Sequence, residues 1–283
     1  METSSLGTDD SLGAVESPWV GRRGRLPVRP LPALLVACQP ASVLLVASGL
    51  WSWGLALLGL SHAILLVGIF VPALSWFGRT HTRLPMQVDG RPKVWLTIDD
   101  GPDPRTTPEL LEVLDRFGVR ATFFVIGDKA RRHPELLAEI AARGHQLGNH
   151  STSHPAGTFW CLPPQQLERE LQETSRLIRA VTGSPPEWFR PPVGHQNPFL
   201  HPIADRHGMQ VVTWSASAWD GVSIPLERAV RRIERRLTPG TILVLHEGYD
   251  PGSRGYTPAA LLEAVLERLT SDGYSAVAWS PRD

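Results

Sequence analysis

The sequence predicts an α/β protein in which parallel strands are joined by helical crossovers, preceded by an N-terminal membrane segment. Three observations support this fold class. Short apolar runs alternate with helical patterns over the last two thirds of the chain, polar residues end those runs, and a long uncharged stretch comes before them. A chain of 283 residues is long enough for one α/β barrel, which commonly takes about 200 to 250 residues, and an appendage.

The N-terminal region differs in composition from the rest. Residues 1–30 are rich in Ser, Gly and Pro and predict a disordered arm. Residues 31–77 contain no Lys, Arg, Asp or Glu, which is enough length for two membrane helices of about 20 residues each, with the turn at 49–54. The Gln39-Pro40 pair interrupts the first apolar segment, so a single span by the second segment is the alternative. A secretory signal peptide fits less well, because the apolar stretch begins late and continues too long.

Flanking charges predict the orientation of this hairpin. Arginines lie before it and at Arg79 and Arg83 after it, whereas the turn is uncharged. By the positive-inside rule both ends, and the domain that follows, face the cytoplasm. If only the second segment spans, the domain faces the other way. Trp51, Trp53 and Trp76 are interpreted as interface anchors.

Composition excludes some partners. Lys plus Arg and Asp plus Glu both number 28, so no net field attracts nucleic acid. Cys38 and Cys161 are far apart and form no zinc-type spacing, and we interpret both as buried thiols.

After a linker at 78–90, residues 91–283 predict one α/β domain. The apolar runs that predict strands are Val94–Ile98, Ala121–Ile126, Val211–Trp214, Thr241–Leu245 and Ala276–Trp279, with shorter runs at Gln146–Gly148 and Trp188–Phe189. The patterns that predict helices are Pro108–Phe117, Pro134–Arg143, Pro164–Val181, Leu226–Leu237 and Pro258–Leu269. Several open with Pro, which is harmless in a first helical turn because that N–H has no intrahelical partner.

Polar residues follow the predicted strands one by one. They are Asp99-Asp100, His150, Arg190, Asp220 and His246. The carboxyl ends of parallel strands share one face of a barrel, so these residues should converge there. Adjacent carboxylates repel each other unless a cation or an arginine compensates them. His150 and His154 are four residues apart, which would place both imidazoles on one side of a helical turn, as zinc sites require.

Each motif also has an ordinary explanation. Asp-Gly-Pro is common turn chemistry, and the histidine pair fits a polar loop. Arg190 could belong to a rigid connector and be solvated. Asp220 could cap the segment that follows it, and His246 could be an ordinary histidine at the end of a strand. Their joint occurrence, in order and each at a strand end, favours a site. The other histidines near these motifs are interpreted as surface groups: His145, His195, His201 and His207.

The ordered set of motifs resembles the polysaccharide deacetylases, also called family four carbohydrate esterases or nodulation-protein-B-like deacetylases. The motifs that carry the resemblance are Thr97-Ile-Asp-Asp-Gly-Pro102, His150-Ser-Thr-Ser-His154, Arg190-Pro-Pro-Val-Gly194, Trp214 to Asp220 and Leu245-His246. The resemblance covers about residues 91 to 280. It implies a distorted (β/α) barrel of about seven parallel strands that removes acetyl groups from N-acetylhexosamine glycans such as chitin and peptidoglycan, or from xylan.

The resemblance also implies roles for these residues. The metal ligands would be Asp100, His150 and His154, holding Zn²⁺ most often and Co²⁺, Ni²⁺, Mn²⁺ or Fe²⁺ in other cases. Asp99 would be the general base and His246 the general acid.

Supporting roles follow from the same resemblance. Arg190 would orient Asp99, and Asp220 would sit in the Arg190/His246 network. The backbone N–H of Val193 would bind the oxyanion, and Leu245 would line the acetyl pocket.

Several positions depart from the family pattern. Ile98 stands where many members have Phe, and Ser217 and Gly221 replace an Asp and a Trp of the fourth motif. Val193 is not aromatic. Trp219 fits either a substituted substrate wall or the core.

The sequence therefore predicts a membrane-tethered, metal-dependent deacetylase of an acetylated amino-sugar glycan. One alternative is an O-acetyl esterase of the xylan type on the same scaffold. Another is a catalytically silent glycan-binding protein, against which the intact Asp99 and His246 argue. The predicted partners are an acetylated glycan and a membrane, with no nucleic acid.

Overall fold

The computed structural model describes residues 30–84, 92–220, 224–248 and 255–280. Within them a curled parallel sheet is surrounded by helices, and a helical hairpin precedes it. The predicted disordered arm lies outside the described residues except for Pro30, as does Gly221 of the fourth motif. The α/β fold class is confirmed, with the sheet curled into a half-barrel.

The hairpin consists of helices α1 (Pro30–Ala47) and α2 (Trp51–Phe70). The chain turns at 48–50, earlier than predicted, and Gln39 Nε2 of α1 lies 3.2 Å from Ser61 Oγ of α2. The prediction that Gln39-Pro40 interrupts the first segment is wrong, because α1 continues through Pro40.

One helix of the described residues, α2, is long and apolar enough to cross a membrane. Its 20 residues match the thickness of a hydrocarbon core. In α1 the shorter part Ala37–Ala47 is apolar. The structure therefore contains one candidate span, and a hairpin with two spans stays a prediction.

In the part of the chain that the structure describes, the sheet contains nine strands, and all pairings between these strands are parallel. In chain order they are β1 (Thr80–His81), β2 (Lys93–Gly101), β3 (Thr122–Val125), β4 (Gln146–Asn149), β5 (Trp188–Phe189), β6 (Gln210–Val212), β7 (Ala216–Ser217), β8 (Thr241–His246) and β9 (Ser275–Val277). The spatial order is β1-β6-β5-β4-β3-β2-β8-β7, and β9 pairs with the first residues of β2. The edge strand β1 lies in the segment predicted as a linker, whose residues 85–90 are outside the description.

Seven α-helices follow the hairpin within the described residues. They are α3 (Thr107–Phe117), α4 (Gly127–Arg132), α5 (Pro134–Ala142), α6 (Pro164–Thr182), α7 (Leu200–Arg206), α8 (Leu226–Glu234) and α9 (Pro258–Ser271). The five predicted helices are confirmed to within about three residues. Helices α4 and α7 were not predicted, because their six and seven residues are too few to show a clear helical period.

Alternation along β2 separates the core from the site. Val94, Leu96 and Ile98 belong to the large apolar cluster between the sheet and the outer helices. Trp95 lies on the other face, inside the curl, where its ring is 4.9 Å from that of Trp188. Side chains alternate with a period of two along a strand, so Thr97 and Asp99 follow Trp95 into the interior. The strand thus delivers a carboxylate to the inside of the barrel at its carboxyl end.

The cysteines do not fit the prediction of two buried thiols. Cys161 is exposed and Cys38 is half-buried, and both are free. Cys161 ends a short 3₁₀ turn at the surface. The prediction failed because it was based on the usual burial of cysteine, which gives no information about this turn.

Candidate active site

The structure brings the sequence-predicted polar residues together at the carboxyl ends of the strands. Asp99 and Asp100 lie near the end of β2, His150 and Arg190 directly follow β4 and β5, and His246 ends β8. Asp220 follows β7 by three residues.

Asp100, His150 and His154 form a group of possible metal ligands. Asp100 Oδ1 is 3.5 Å from His150 Nε2 and 3.4 Å from His154 Nε2, and the candidate ligand atoms all lie within 4.8 Å of one another. Asp100 Oδ1 is buried and has no hydrogen-bond partner among the described residues. Buried polar atoms normally have a partner, so this oxygen fits a metal ligand. One carboxylate and two imidazoles are also a donor set typical of a catalytic zinc site.

A hydrogen bond orients His150 toward Asp100. His150 Nδ1 is 2.8 Å from the carbonyl oxygen of Arg190 and donates its proton to it. The other nitrogen, Nε2, is then unprotonated in the neutral ring and points its lone pair at the carboxylate.

The predicted helical turn between the two histidines is wrong. Residues 150–155 form a loop in which Ser151 and His154 have left-handed φ values of 64° and 52°. Glu170 of α6 holds the loop, because its Oε2 accepts the backbone N–H groups of Thr152 and Ser153, each at 2.8 Å. The two imidazoles converge through these bends, with ring centroids 4.9 Å apart.

The protonation states of the group suit a divalent cation. Burial and the charge of His150 lower the pKa of His154 to about 4, so its ring is neutral at physiological pH. Burial raises the pKa of the Asp100 carboxyl, but interaction with His150 and the other nearby histidines outweighs it and holds that pKa well below its usual range. A metal requires a deprotonated carboxylate and neutral imidazoles, and these shifts provide the carboxylate of Asp100 and the neutral ring of His154.

Asp99 has a different partner from its neighbour. Arg190 NH1 donates to Asp99 Oδ1 at 2.6 Å and to Thr97 Oγ1 at 2.7 Å, while NH2 donates to the Thr213 carbonyl at 3.1 Å. Arg190 is completely buried, and its guanidinium lies 4.1 Å from the ring centroid of Phe124. This pairing of Arg190 with Asp99 is the one that the resemblance implied.

His246 is held by Asp220. Asp220 Oδ1 lies 2.7 Å from His246 Nδ1, and Oδ2 accepts the His246 backbone N–H at 2.8 Å. Burial lowers the pKa of His246, but the charge and hydrogen bond of Asp220, with Asp99 and Asp100, raise it to about 9. Within the described chain both of these Asp220 bonds go to His246 and neither to Arg190, so the network expected around Asp220 is smaller than the resemblance implied.

The remaining predicted residues differ in exposure. Leu245 is buried in β8, whereas Val193 is 44% exposed in a short 3₁₀ turn after Arg190. Trp219 is 56% exposed, with the Arg232 guanidinium 3.5 Å from its ring centroid. Trp219 is therefore a surface residue beside Asp220 and is not part of the core.

Non-glycine residues with left-handed backbone are concentrated in these segments. Every non-glycine residue with positive φ in the described chain belongs to one of the motifs: Asp100, Ser151, His154, Val193 and Trp219. Such residues are strained, most of all a β-branched one such as Val193, and such strain is typical of functional sites. No sequence signal predicts this conformation, because glycine or asparagine would normally mark it.

Sequence reasoning missed several residues that support the site. Lys129 Nζ donates to the Asp100 carbonyl at 2.7 Å, and Asn149 Nδ2 donates to the Leu171 carbonyl at 2.7 Å beneath His150. Glu247 is fully buried and accepts a hydrogen bond from Thr107 Oγ1. Burial raises the pKa of Glu247 to about 7. Asn149 precedes His150 and Glu247 follows His246 in the sequence, and this adjacency could have identified both as supporting residues.

Two of the histidines interpreted as surface groups are buried. His145 and His201 are 6% and 7% exposed, and His145 Nδ1 accepts the Ala121 backbone N–H at 3.2 Å. Burial lowers the pKa of His145 to about 4. Neither belongs to the Asp100 group, so both act in packing and that interpretation was wrong only in exposure.

Comparison with known proteins finds similarity to deacetylases that act on glycans. The polysaccharide deacetylase family matches residues 87–212. A chitooligosaccharide deacetylase of Bradyrhizobium sp. is 35% identical over 185 residues, which cover 65% of this chain and 84% of that protein. A peptidoglycan-N-acetylglucosamine deacetylase of Bacillus cereus is 32% identical over 184 residues, covering 64% and 84%.

A solved structure agrees with these relatives. The family 4 carbohydrate esterase from Streptomyces lividans, in complex with acetate, matches with a TM-score of 0.59 at 30% identity, covering 68% of this chain and 94% of that one. Fold and sequence together define a hydrolase of the carbohydrate esterase family four class. The chain belongs to the polysaccharide deacetylase family, which confirms the resemblance.

The buried ion pair makes a prediction about stability. Arg190→Ala leaves Asp99 buried without its cation, so we expect the free energy of unfolding to fall by about 3 to 5 kcal/mol. Arg206→Ala removes an exposed ion pair with Glu168 and should cost less than about 1 kcal/mol. Denaturant unfolding of the full chain in detergent measures both. Equal losses for the two variants would contradict the importance of the buried pair.

The Asp220 contact makes a prediction about pH. In chelator-treated protein, Asp220→Asn should return the pKa of His246 from about 9 toward its ordinary value of 6.5, as measured by NMR titration. A raised histidine pKa stabilises the fold fully below about 6.5, and this contribution is lost as pH rises through about 9. The variant should therefore lose most stability near neutral or lower pH and little above about pH 10. Glu135→Gln, at an exposed residue paired with His133, should leave the His246 titration unchanged.

Proposed function

We propose that this protein is a metal-dependent hydrolase that removes acetyl groups from N-acetylated amino-sugar glycans, of the chitin, peptidoglycan or lipid-linked-sugar kind. The observation that carries the proposal is the different environment of two adjacent carboxylates. Asp100 faces His150 and His154, whereas Asp99 is fixed by Arg190. One carboxylate is thus free to serve a metal and the other to move a proton.

The metal is proposed to be Zn²⁺, with Co²⁺, Ni²⁺, Mn²⁺ or Fe²⁺ as other divalent ions that the site would accept. Asp100, His150 and His154 would hold it. Three protein ligands leave room for water and substrate, and the ion would supply Lewis acidity toward the acetyl carbonyl and the attacking water.

The other residues of this chain would move protons and hold charge. Asp99, oriented by Arg190, accepts a proton as water attacks the acetyl carbon. The Val193 backbone N–H donates a hydrogen bond to the acetyl oxygen, which becomes negative during the attack, and stabilises it. His246 donates a proton to the nitrogen as the carbon–nitrogen bond breaks, giving acetate and a free amine. Its raised pKa, about 9, keeps it protonated at neutral pH for this step.

Two residues would shape substrate selection. Leu245, buried at the end of β8, suits the methyl group of acetyl. A small apolar pocket rejects a longer acyl group only modestly. Trp219 is exposed beside Asp220 and offers an aromatic surface to a sugar ring, in place of the tryptophan that Gly221 replaces in the family pattern.

The O-acetyl esterase remains the second enzyme on the same scaffold, because the metal, the base and the oxyanion donor serve esters and amides alike. The named relatives are N-deacetylases, which favours the amide. Incubating the full-length protein with metal and either an N-acetylglucosamine oligomer or an acetylated xylan separates the two. Free amine from the oligomer supports the proposal, acetate from xylan alone supports the esterase, and no product supports a silent binding protein.

The division of labour between the two carboxylates makes a further prediction. Asp99→Asn keeps the shape of the side chain but not the base, so we expect turnover to fall by about 10² to 10⁴-fold while metal content persists. Asp100→Ala should lose both turnover and bound metal. Asp115→Ala, an exposed residue of α3, is the control and should lose neither. Metal analysis and amine release measure the outcomes, and an active Asp99→Asn enzyme would contradict the assigned base.

Membrane attachment is the remaining part of the proposal. The apolar helix α2 supports it, and the flanking arginines favour a catalytic domain facing the cytoplasm if α1 and α2 both span. A single span by α2 reverses the orientation. Protease treatment of intact cells, with permeabilised cells as the control, should leave the domain uncut. Cleavage in intact cells would show that it faces outward.

A further inference from the structure

The C-terminal end of α2 is bonded directly to the loop that carries the proposed oxyanion donor. The Ile69 carbonyl accepts the backbone N–H of Gln196 at 2.8 Å, and the Pro72 carbonyl accepts Thr213 Oγ1 at 3.1 Å. Residues 69–72 are named here the exit segment. The apolar helix therefore joins the barrel at the mouth of the active site, without a free tether between them.

Packing at this joint leaves no space. A Cβ atom placed on Gly194 would lie 2.7 Å from Pro72 Cγ and 2.9 Å from the Trp214 ring. Phe70 contacts His195, the residue after Gly194, in an edge arrangement with the two ring centroids 4.8 Å apart. The Phe70 ring centroid also lies 5.7 Å from that of Trp160. The exit segment thus forms one wall of the loop that follows Arg190.

The rest of α2 stands away from the barrel. Its buried residues are Gly54 and Ser61, which face α1, and Gly68 and Ile69 at the joint. Among the described residues, the buried positions of α2 thus lie against α1 or in its last turn, where Ile69 is hydrogen-bonded to the loop that follows Arg190.

Exposed apolar side chains lie on both segments that meet at this joint. Phe70 and Val71 are 41% and 40% exposed, and Val193 and Phe199 are 44% and 49% exposed. These four residues are named the apolar rim. Phe70 and Val71 follow the exposed leucines and valines of α2 along the chain, and Val193 and Phe199 are each three residues from Gln196, which is hydrogen-bonded to Ile69. Aromatic and aliphatic side chains are favoured at a membrane interface.

We infer that the apolar rim rests on the bilayer surface and that the enzyme deacetylates an amino sugar carried on a lipid. This inference rests on the proposed function. The joint holds the mouth of the site next to the hydrocarbon region, so a lipid-borne sugar reaches Asp99 and Asp100 by moving in the plane of the membrane. A soluble glycan must instead enter from solution between the rim and the surface. Confinement to the membrane also raises the effective concentration of the lipid-borne sugar.

The first test measures where the rim lies, independently of catalysis. The full-length chain with Cys38→Ser and Cys161→Ser receives one new cysteine, Phe199→Cys or, as the control, Glu267→Cys on the exposed side of α9. Each is labelled with a fluorophore and reconstituted in nanodiscs that contain nitroxide-headgroup lipid. The label at 199 should be quenched strongly and the label at 267 should not. Equal quenching at the two positions would overturn the placement of the rim.

The second test compares substrates. Wild-type enzyme in vesicles is given N-acetylglucosamine linked to diacylglycerol in the same bilayer, or soluble tri-N-acetylchitotriose. We expect kcat/KM for the lipid-borne sugar to exceed that for the soluble one by about tenfold or more. Val71→Ala combined with Phe199→Ala should reduce this ratio, whereas Leu55→Ala, on α2 away from the barrel, should keep it.

The outcomes distinguish the two levels of the proposal. Equal turnover of the two sugars contradicts the lipid-borne substrate and leaves deacetylation standing. If neither the lipid-borne nor the soluble sugar is turned over, the proposed function is contradicted. The quenching measurement still decides where the rim lies. A ratio that is unchanged in the double rim variant also counts against the inference.

Discussion

The buried ion pair between Arg190 and Asp99 is the interaction on which the site depends. β5 and β2 are not neighbours in the sheet, so the Arg190 side chain crosses the interior of the half-barrel to reach Asp99 and Thr97. A buried guanidinium is costly unless its charge and N–H groups are matched. The same residue orients His150 through its backbone carbonyl. One residue thereby places both the proposed base and a proposed metal ligand.

Adjacent carboxylates can serve two purposes because the backbone turns between them. Asp99 is the last residue of β2 to follow the period-two alternation into the interior, and Asp100 then adopts a left-handed φ of 71°. That conformation rotates the second carboxylate out of the strand and toward His150 and His154. The other left-handed residues near the site likewise have strained backbones, and this conformation changes the direction of their side chains.

Much of this could be predicted from sequence. Parallel strands must end on one face, so Asp100, His150 and His246 could be expected to converge before any contact was known. The bends at Ser151 and His154 could not, because they accompany tertiary hydrogen bonds from the backbone of Thr152 and Ser153 to Glu170, a residue distant in the sequence. Short elements such as α4 and α7 carry too few residues to show a period. The joint between Ile69 and Gln196 is made by backbone groups, and side-chain identity says nothing about it.

The position of β2 in the sheet has a consequence for synthesis of the protein. This strand occurs early in the domain, yet it pairs with β8 and β9, which lie about 150 to 180 residues later in the chain. Contacts so distant in sequence form only after the intervening chain has emerged from the ribosome. His246 is itself on β8, so a chain that stops short of it has neither the partner strands nor the proposed acid. The proposed site is therefore completed only after β8 has been synthesised.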